Sequence, residues 1–288
     1  MAGADQANIS NQVLPLISGR NKLLLRIASA LVMAPLAIAA AYYGEFVFLV
    51  FWVLAALGVL WEWDGLVCAH DKNTVYATGA ATIAATAVLW GMNRMIPSVI
   101  LMALGLIGVA TIASKIRRAW CVGGLAYASA LMLAPIVLRQ DPVLGFWAIT
   151  YLFAVVWATD IAAYVAGRAI GGPKLARYVS PNKTWAGAIG GTTAGVAGGV
   201  ALAMFAGIGH LIPLGMLALV LSLCSQVGDL LESAIKRRFN AKDSSWFIPG
   251  HGGLMDRLDG FWAASVVAVL IAIVRGGIET PAQGLLVW

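Results

Sequence analysis

Long apolar runs recur along this chain of 288 residues, and short polar segments separate them. A bilayer core about 30 Å thick needs roughly 20 apolar residues for each helix that crosses it. Runs of this order predict nine membrane-spanning helices, with eight as the alternative because two of the runs are short. The predicted spans are 23–43, 46–60, 75–92, 96–114, 121–138, 144–166, 185–206, 212–230 and 258–274.

Composition favours the same fold class, an all-α polytopic integral membrane protein. Hydrophobic residues make up 61% of the chain and charged residues only 11%, which is too few charges to cover a soluble domain. The runs also lack the alternation of apolar and polar residues that the strands of a membrane β-barrel require. The three cysteines, Cys68, Cys121 and Cys224, stand singly without metal-site spacing, which predicts that they are packing residues.

The basic residues predict how the helices are oriented, because cytoplasmic loops collect Lys and Arg. With a cytoplasmic N-terminus, all of the 19 basic residues except Arg94, Arg139 and Arg275 fall on the cytoplasmic side. We therefore expect an external C-terminus and a multi-pass protein of the plasma (inner) membrane. Whether the first helix is retained stays open, since Ala37-Ile38-Ala39 resembles a cleavage site, although the long polar lead favours retention.

Acidic residues stand near the predicted cytoplasmic ends of two spans. Asp160 follows an apolar stretch in WATDIAAYVAGR, and Asp229 follows another in LSLCSQVGDLLESAIKRR. An acid inside a span is costly, so it is usually paired or functional. An amphipathic helix leaving the membrane, with its basic end near the lipid headgroups, explains the second stretch equally well. One face of that helix carries Asp229, Glu232, Ser233, Lys236 and Arg237.

The segment KDSSWFIPGHGGLMDRLDG, residues 242–260, is polar and rich in glycine between two apolar runs. Its glycines let backbone N–H groups approach an anion closely, as phosphate-binding loops do. Asp256 and Asp259 then face the same way in the first turn of the last span. One Asp would satisfy the helix N-terminus, whereas two beside His251 and Arg257 favour a site for a hard cation. His251 alone fits a phosphate donor, a catalytic acid or an ordinary loop residue.

A second polar segment, GRAIGGPKLARYVSPNKTWAGAIGG at 167–191, joins two spans. Positive-inside topology alone explains its charge but not its glycines or its hydroxyl-rich SPNKT. Helix N-termini bind phosphates readily through their free N–H groups. This pattern favours a phosphate-binding role for the segment.

These stretches together resemble a specific family. The fixed positions from Ser233 through Lys236, Arg237, Lys242 and the glycines to Asp259 match the signature of the phosphatidate cytidylyltransferases, also called CDP-diacylglycerol synthases. TDIAAYVAGR and SPNKTWAGAIGG are similar to two further blocks of that family. The resemblance is dense from about residue 155 onward and thin before it. At Ala186 the family often carries an acidic or amide side chain, so no polar role transfers to that position.

The resemblance implies transfer of CMP from CTP to phosphatidic acid, which gives CDP-diacylglycerol and pyrophosphate. It implies Mg²⁺ held by Asp229 and Asp256, with Asp160 and Asp259 as further members of the site and K⁺ as a candidate second ion. It also implies a homodimer in the lipid bilayer, with no nucleic-acid partner. The expected catalytic residues are Asp229, Lys236, Arg237, Asp256 and Asp259. The expected substrate-binding residues are Ser180, Asn182, Lys183, Thr184, Ser233, Lys242, His251, Gly252, Gly253 and Arg257.

We therefore expect a polar tail over residues 1–22 and a single membrane domain over 23–288. Within that domain, 23–143 is expected to be mainly scaffold and 144–275 to carry the active site. In the scaffold stretch WEWDGL, the two tryptophans Trp61 and Trp63 are expected to be interfacial anchors, and the roles of Glu62 and Asp64 stay open.

Two other functions remain as alternatives. A membrane transporter or channel for ions or lipid would also carry charged residues in its spans, although they would be distributed through the membrane depth. A CTP-dependent polyprenol or phytol kinase shares the nucleotide, but the long signature at 233–259 favours cytidylyl transfer. The pattern of a CDP-alcohol phosphotransferase does not continue after DRLDGFW.

Overall fold

A computed structural model describes residues 19–68, 71–245 and 252–288 of the chain. This part of the chain is almost entirely helical, with one small β-hairpin. Its elements in order are α1 (Gly19–Tyr43), α2 (Glu45–Val67), α3 (Lys72–Gly91), α4 (Met95–Ile112), α5 (Arg118–Arg139), α6 (Gly145–Ala169), β1 (Lys174–Ala176), β2 (Ser180–Thr184), α7 (Trp185–Phe205), α8 (Leu211–Arg238), α9 (Met255–Gly276) and α10 (Pro281–Leu286).

In the described part of the chain, eight helices, α2 to α9, are long and apolar enough to cross a membrane. Among the described side chains, α1 adds the apolar segment Leu31–Tyr43. The predicted fold class is thus confirmed, α2 to α9 correspond to eight of the nine predicted spans, and the first predicted span, 23–43, stays a prediction. The two spans that looked short in the sequence extend in the structure to 23 and 22 residues. The orientation in the membrane and the division into domains stay predictions.

The predicted loop between α6 and α7 contains the hairpin. Strands β1 and β2 pair antiparallel, with Lys174 opposite Thr184 and Ala176 opposite Ser180. The Oγ1 atom of Thr184 accepts a hydrogen bond of 3.1 Å from the backbone N–H of Gly187 and so caps α7. The hairpin therefore leads directly into a spanning helix and fixes the position of SPNKT.

Helices α6 and α7 pack with their backbones in close contact. Buried glycines recur at every fourth position on one face of α7. A Cβ at Gly191 would lie 2.8 Å from the backbone oxygen of Thr159 in α6. Since a backbone carbonyl cannot swing aside as a side chain does, this face tolerates only glycine at that level.

We expect Gly191→Ala to destabilise the protein by about 1–3 kcal/mol, because the added methyl group forces the two helices apart. The matched control is Gly123→Ala in α5, where the nearest atom to a new Cβ is a Trp63 ring carbon at 3.9 Å. That change is expected to be neutral or slightly stabilising. The midpoint of thermal unfolding in detergent measures both variants. Equal midpoints would contradict the close packing described here.

Aromatic stacking joins the front helices to α9. The rings of Trp52 in α2 and Phe261 in α9 stack with centroids 4.9 Å apart. Tyr127 in α5 stacks on Trp262 at 4.3 Å. Such pairs add about 0.5–1.5 kcal/mol beyond their area burial. Helices α2 and α5 thereby hold α9, the helix that carries Asp256 in its first turn.

Two expectations for the front helices are wrong. Trp63 is not an interfacial anchor, because it is 4% exposed and its indole N–H donates to the backbone oxygen of Trp120 at 2.9 Å. Cys68 and Cys121 are not isolated packing residues, since they form a disulfide with Cα atoms 6.4 Å apart. Helical periodicity brings both sulfurs to the contact between α2 and α5, which residue spacing alone did not reveal.

Candidate active site

Asp256 lies at the start of α9, and donors surround its carboxylate. One oxygen, Oδ2, accepts hydrogen bonds from the backbone N–H groups of Gly253 at 2.9 Å and Ser244 at 3.2 Å. The other, Oδ1, accepts one from Lys236 Nζ at 2.6 Å. Gly252 has a φ of 85°, a conformation that glycine adopts without strain. The segments 241–245 and 252–254 thus converge on one carboxylate.

Lys236 joins Asp256 to helix α8. Its Nζ atom also lies 2.7 Å from Glu232 Oε2, one turn earlier in the same helix. The side chains of Glu232 and Asp256 are 1% and 9% exposed, so both charges are withdrawn from solvent. Buried carboxylates need a compensating charge, and Lys236 supplies it to both.

One helical turn deeper, the same two helices bring Asp229 and Asp259 together. A Cβ at Gly228 would lie 2.6 Å from the backbone oxygen of Asp259, so the backbones of α8 and α9 are in close contact there. Asp229, Asp259 and Asp160 from α6 interact electrostatically with one another. Lys183 from β2 forms an ion pair with Asp229.

We refer to five carboxylates as the acidic cluster: Asp160, Asp229, Glu232, Asp256 and Asp259. Glu232 interacts electrostatically with both Asp256 and Asp259, so the two levels form one continuous group. Three cations lie within it: Lys183, Lys236 and Arg257. Five carboxylates and three cations give the acidic cluster a formal net charge of −2, which one divalent cation would neutralise.

The acidic cluster fits a hard cation in ligand type as well as charge, since Mg²⁺ prefers carboxylate oxygens. The hydroxyl of Tyr127, which interacts with three of these acids, is buried and has no hydrogen-bond partner among the described residues. However, no three His, Cys, Asp or Glu side chains of the described residues already stand in the arrangement of a metal site. Lys183 pairs with one oxygen of Asp229, and Lys236 and backbone N–H groups take both oxygens of Asp256.

The structure brings together most of the residues that the sequence singled out. Among the expected catalytic residues, Arg237 is the exception, because it is exposed and donates to the backbone oxygen of Ala241 at 3.3 Å. Lys242 is also exposed, and Ser233 is half-buried. His251 lies outside the described residues. Their roles with substrates stay predictions.

In the hairpin, Lys183 points into the acidic cluster. Ser180 is half-buried and Asn182 is exposed, whereas Thr184 is buried as the cap of α7. The capping hydrogen bond gives Thr184 a structural role that the sequence did not separate from substrate binding. Arg257 is exposed in α9 and interacts electrostatically with Asp160.

Sequence reasoning missed Glu62, which lies in α2 far from the signature region. Its side chain is 2% exposed and accepts four hydrogen bonds. A charged residue inside an apolar run was the available signal, because such residues are costly and usually functional. The donors are Ser244 Oγ at 3.0 Å, Ser245 Oγ at 2.5 Å, and the backbone N–H groups of Leu254 and Met255, each at 2.7 Å.

A cavity of about 610 Å³ lies beside this contact. At the edge of the cavity, the Nζ atom of Lys72 lies 4.9 Å from the centroid of the Trp61 ring. Ligand cavities in proteins span about 300–1,000 Å³, so this one is large enough for a small ligand. The described residues that line it are Trp61, Glu62, Gly65, Leu66, Lys72, Ser244 and Ser245.

These features define the class of the protein, which is a polytopic membrane protein. Its candidate site is a buried cluster of acids and bases where a polar hairpin meets the spanning helices. Residues 24–274, which include every described member of the candidate site, match the model of the cytidylyltransferase family. The chain belongs to that family.

Three similar proteins carry the same name. A protein of Brucella suis biovar 1, called phosphatidate cytidylyltransferase, is 39% identical over 257 residues, which cover 89% of this chain and 95% of that protein. One of Brucella abortus with the same name is 40% identical over 250 residues, covering 86% and 93%. One of Staphylococcus haemolyticus, also so named, is 38% identical over 178 residues, covering 60% and 67%.

Proposed function

We propose that this protein is a phosphatidate cytidylyltransferase, which transfers CMP from CTP to phosphatidic acid and releases pyrophosphate. The observation that carries the proposal is the match to proteins of that name over almost their whole length, at 39% identity. The geometry agrees, because acids and bases gather at the junction of spanning helices and polar segments. A lipid phosphate and a water-soluble triphosphate can meet at such a junction.

The reaction forms one bond and breaks one. A phosphate oxygen of phosphatidic acid attacks the α-phosphorus of CTP. The bond from that phosphorus to the oxygen that leads to the β-phosphate breaks, and pyrophosphate leaves with the electron pair. Fixed positive groups lower the barrier to such a transfer because they stabilise charge on the reacting phosphates. In this chain we assign that role to Lys183, Lys236 and Arg257, with Arg237 and Lys242 at the exposed edge.

We propose that Asp229 and Asp256 hold Mg²⁺, with Asp160 and Asp259 beside them. When bound, the ion would neutralise charge on the phosphates that react. The excess of two negative charges in the acidic cluster supports this assignment. Lys183 and Lys236 would then turn from the carboxylates toward the phosphates of the substrates. A K⁺ ion in the same site stays a prediction from the resemblance.

We further propose that the site faces the cytoplasm from the plasma (inner) membrane and that the enzyme is a homodimer. The excess of Lys and Arg in the loops on that side supports the orientation. The cytoplasmic supply of CTP supports it as well. The homodimer and the boundary at residue 143 between scaffold and active-site regions rest on the family resemblance alone.

We expect purified protein with phosphatidic acid and Mg²⁺ to transfer label from α-³²P-CTP into extractable lipid. Label from γ-³²P-CTP should instead appear in pyrophosphate, because cytidylyl transfer releases the β- and γ-phosphates together. Lipid labelled only by γ-³²P-CTP would identify a CTP-dependent kinase and overturn the proposal. Folded protein that labels no lipid with either nucleotide would redirect the search to transport of ions or lipid.

A further inference from the structure

Glu62 makes the contact that joins the front helices to the acidic cluster. We propose that Glu62 is a positioning residue for cytidylyl transfer, because it holds the segment that presents Asp256. The proposal rests on the proposed function for its reaction, but its structural basis is independent of it. Neither the signature at 233–259 nor the two further blocks include residue 62.

The first turn of α9 lacks a cap of its own. The residue at the cap position is Leu254, whose side chain offers no hydrogen bond to the helix. Glu62 replaces that cap from a different helix, since it accepts the N–H groups of Leu254 and Met255 at 2.7 Å each. A carboxylate at a helix N-terminus is stabilised by the helix dipole and by charge-assisted hydrogen bonds. The start of α9 is therefore fixed by α2.

The same carboxylate fixes the segment that reaches Asp256 from the other side. Ser244 donates its hydroxyl to Glu62 and its backbone N–H to Asp256. A Cβ at Gly253 would lie 1.8 Å from Ser244 Oγ and 2.8 Å from Glu62 Oε2, so a side chain at residue 253 would displace both groups. A displacement of Glu62 would therefore move two of the three donors to Asp256.

Glu62 acts through these neighbours and not on a substrate. An ionised carboxylate offers about four acceptor sites, and four donors already occupy those of Glu62. With 2% exposure it also offers very little surface to a phosphate, although it borders the cavity. Misplacing a reacting group by about 1 Å costs roughly 100-fold in rate, so a contact of this kind affects turnover without touching the substrates.

We expect Glu62→Gln to lower kcat about 10- to 100-fold, while KM for CTP and for phosphatidic acid changes less than about threefold. The glutamine keeps the size of the side chain but turns an NH₂ group toward donors. Glu62→Asp keeps the charge and is expected to recover part of the lost kcat. The matched control is Asp64→Asn, a fully buried acid in the same helix whose contact is the Cys68 sulfur, with kcat unchanged.

A second measurement does not depend on activity. Backbone N–H groups that lose their acceptor exchange faster with deuterium. We expect faster exchange over residues 252–258 in Glu62→Gln and unchanged exchange in Asp64→Asn. This result would hold even if the protein made no CDP-diacylglycerol, so failure of the proposed function and failure of this inference are separate outcomes.

Two results would overturn the inference. One is wild-type kcat in Glu62→Gln, and the other is unchanged exchange over residues 252–258. If Glu62→Gln does not fold, Ser244→Ala carries the test, because it removes one donor to Glu62 and keeps the backbone N–H to Asp256. Wild-type kcat in that variant would then overturn the inference, and a reduced kcat with unchanged KM values would support it.

Discussion

Asp256→Asn should reduce cytidylyl transfer by about 100- to 1,000-fold in a protein that still folds. The asparagine retains an oxygen for the N–H groups of Gly253 and Ser244, so the first turn of α9 keeps its contacts. It loses the negative charge that pairs with Lys236, and it turns an NH₂ group toward that ammonium. Transfer of α-label from CTP into lipid measures the loss.

The matched control is Asp141→Asn. Asp141 is also a buried aspartate, and it also accepts two backbone N–H groups, those of Val143 at 2.9 Å and Leu144 at 2.8 Å. It precedes α6 at the opposite end from Asp160, away from the acidic cluster. We expect the control to keep its activity within about twofold, because Asn is also a good helix-capping residue and retains an oxygen for the two N–H groups. Activity of Asp256→Asn within threefold of wild type would remove Asp256 from the catalytic residues.

Lys236→Met should abolish most activity and also destabilise the protein. Lys236 is the cation shared by Glu232 and Asp256, and removing one partner of a buried ion pair costs about 3–5 kcal/mol. Methionine retains the length and apolar stem of lysine, so the change isolates the ammonium. Thermal unfolding in detergent measures the destabilisation, and label transfer measures the activity.

A double variant separates the two effects. Lys236→Met with Glu232→Gln removes one of the two uncompensated acids, so it should recover much of the lost stability. Activity should stay low, because the ammonium that contacts Asp256 is still absent. If activity returned along with stability, Lys236 would only neutralise Glu232, and its assignment to the reacting phosphates would be wrong.

Local patterns in the sequence were sufficient to predict the helices and about half of the candidate site. Apolar runs predicted the positions of the spans, and the spacing of Asp229, Glu232 and Lys236 predicted their shared face of α8. Their pairing with α9 followed from the signature. The ends of the helices were harder to predict. Helix α2 continues through WEWDGLV, where polar side chains face the protein interior and interrupt the apolar pattern.

Contacts between distant residues explain what the sequence could not predict. Glu62 lies between two tryptophans in a stretch that reads as scaffold, and its donors come about 190 residues later. The capping role of Thr184 needs the geometry of the hairpin, which its composition did not reveal. The pairing of Cys68 with Cys121 likewise depends on how α2 meets α5.

The sequence separation between Glu62 and its donors also sets an order of events during synthesis. Ribosomes add about 5–20 residues per second, and 182 to 193 residues separate Glu62 from those donors. Roughly 10–40 s therefore pass between the synthesis of Glu62 and the synthesis of the groups that stabilise it. Until then this carboxylate lacks all four of the hydrogen bonds that it accepts in the folded protein. The start of α9 supplies two of those donors, and the same helix brings Asp256 and Asp259 to the acidic cluster.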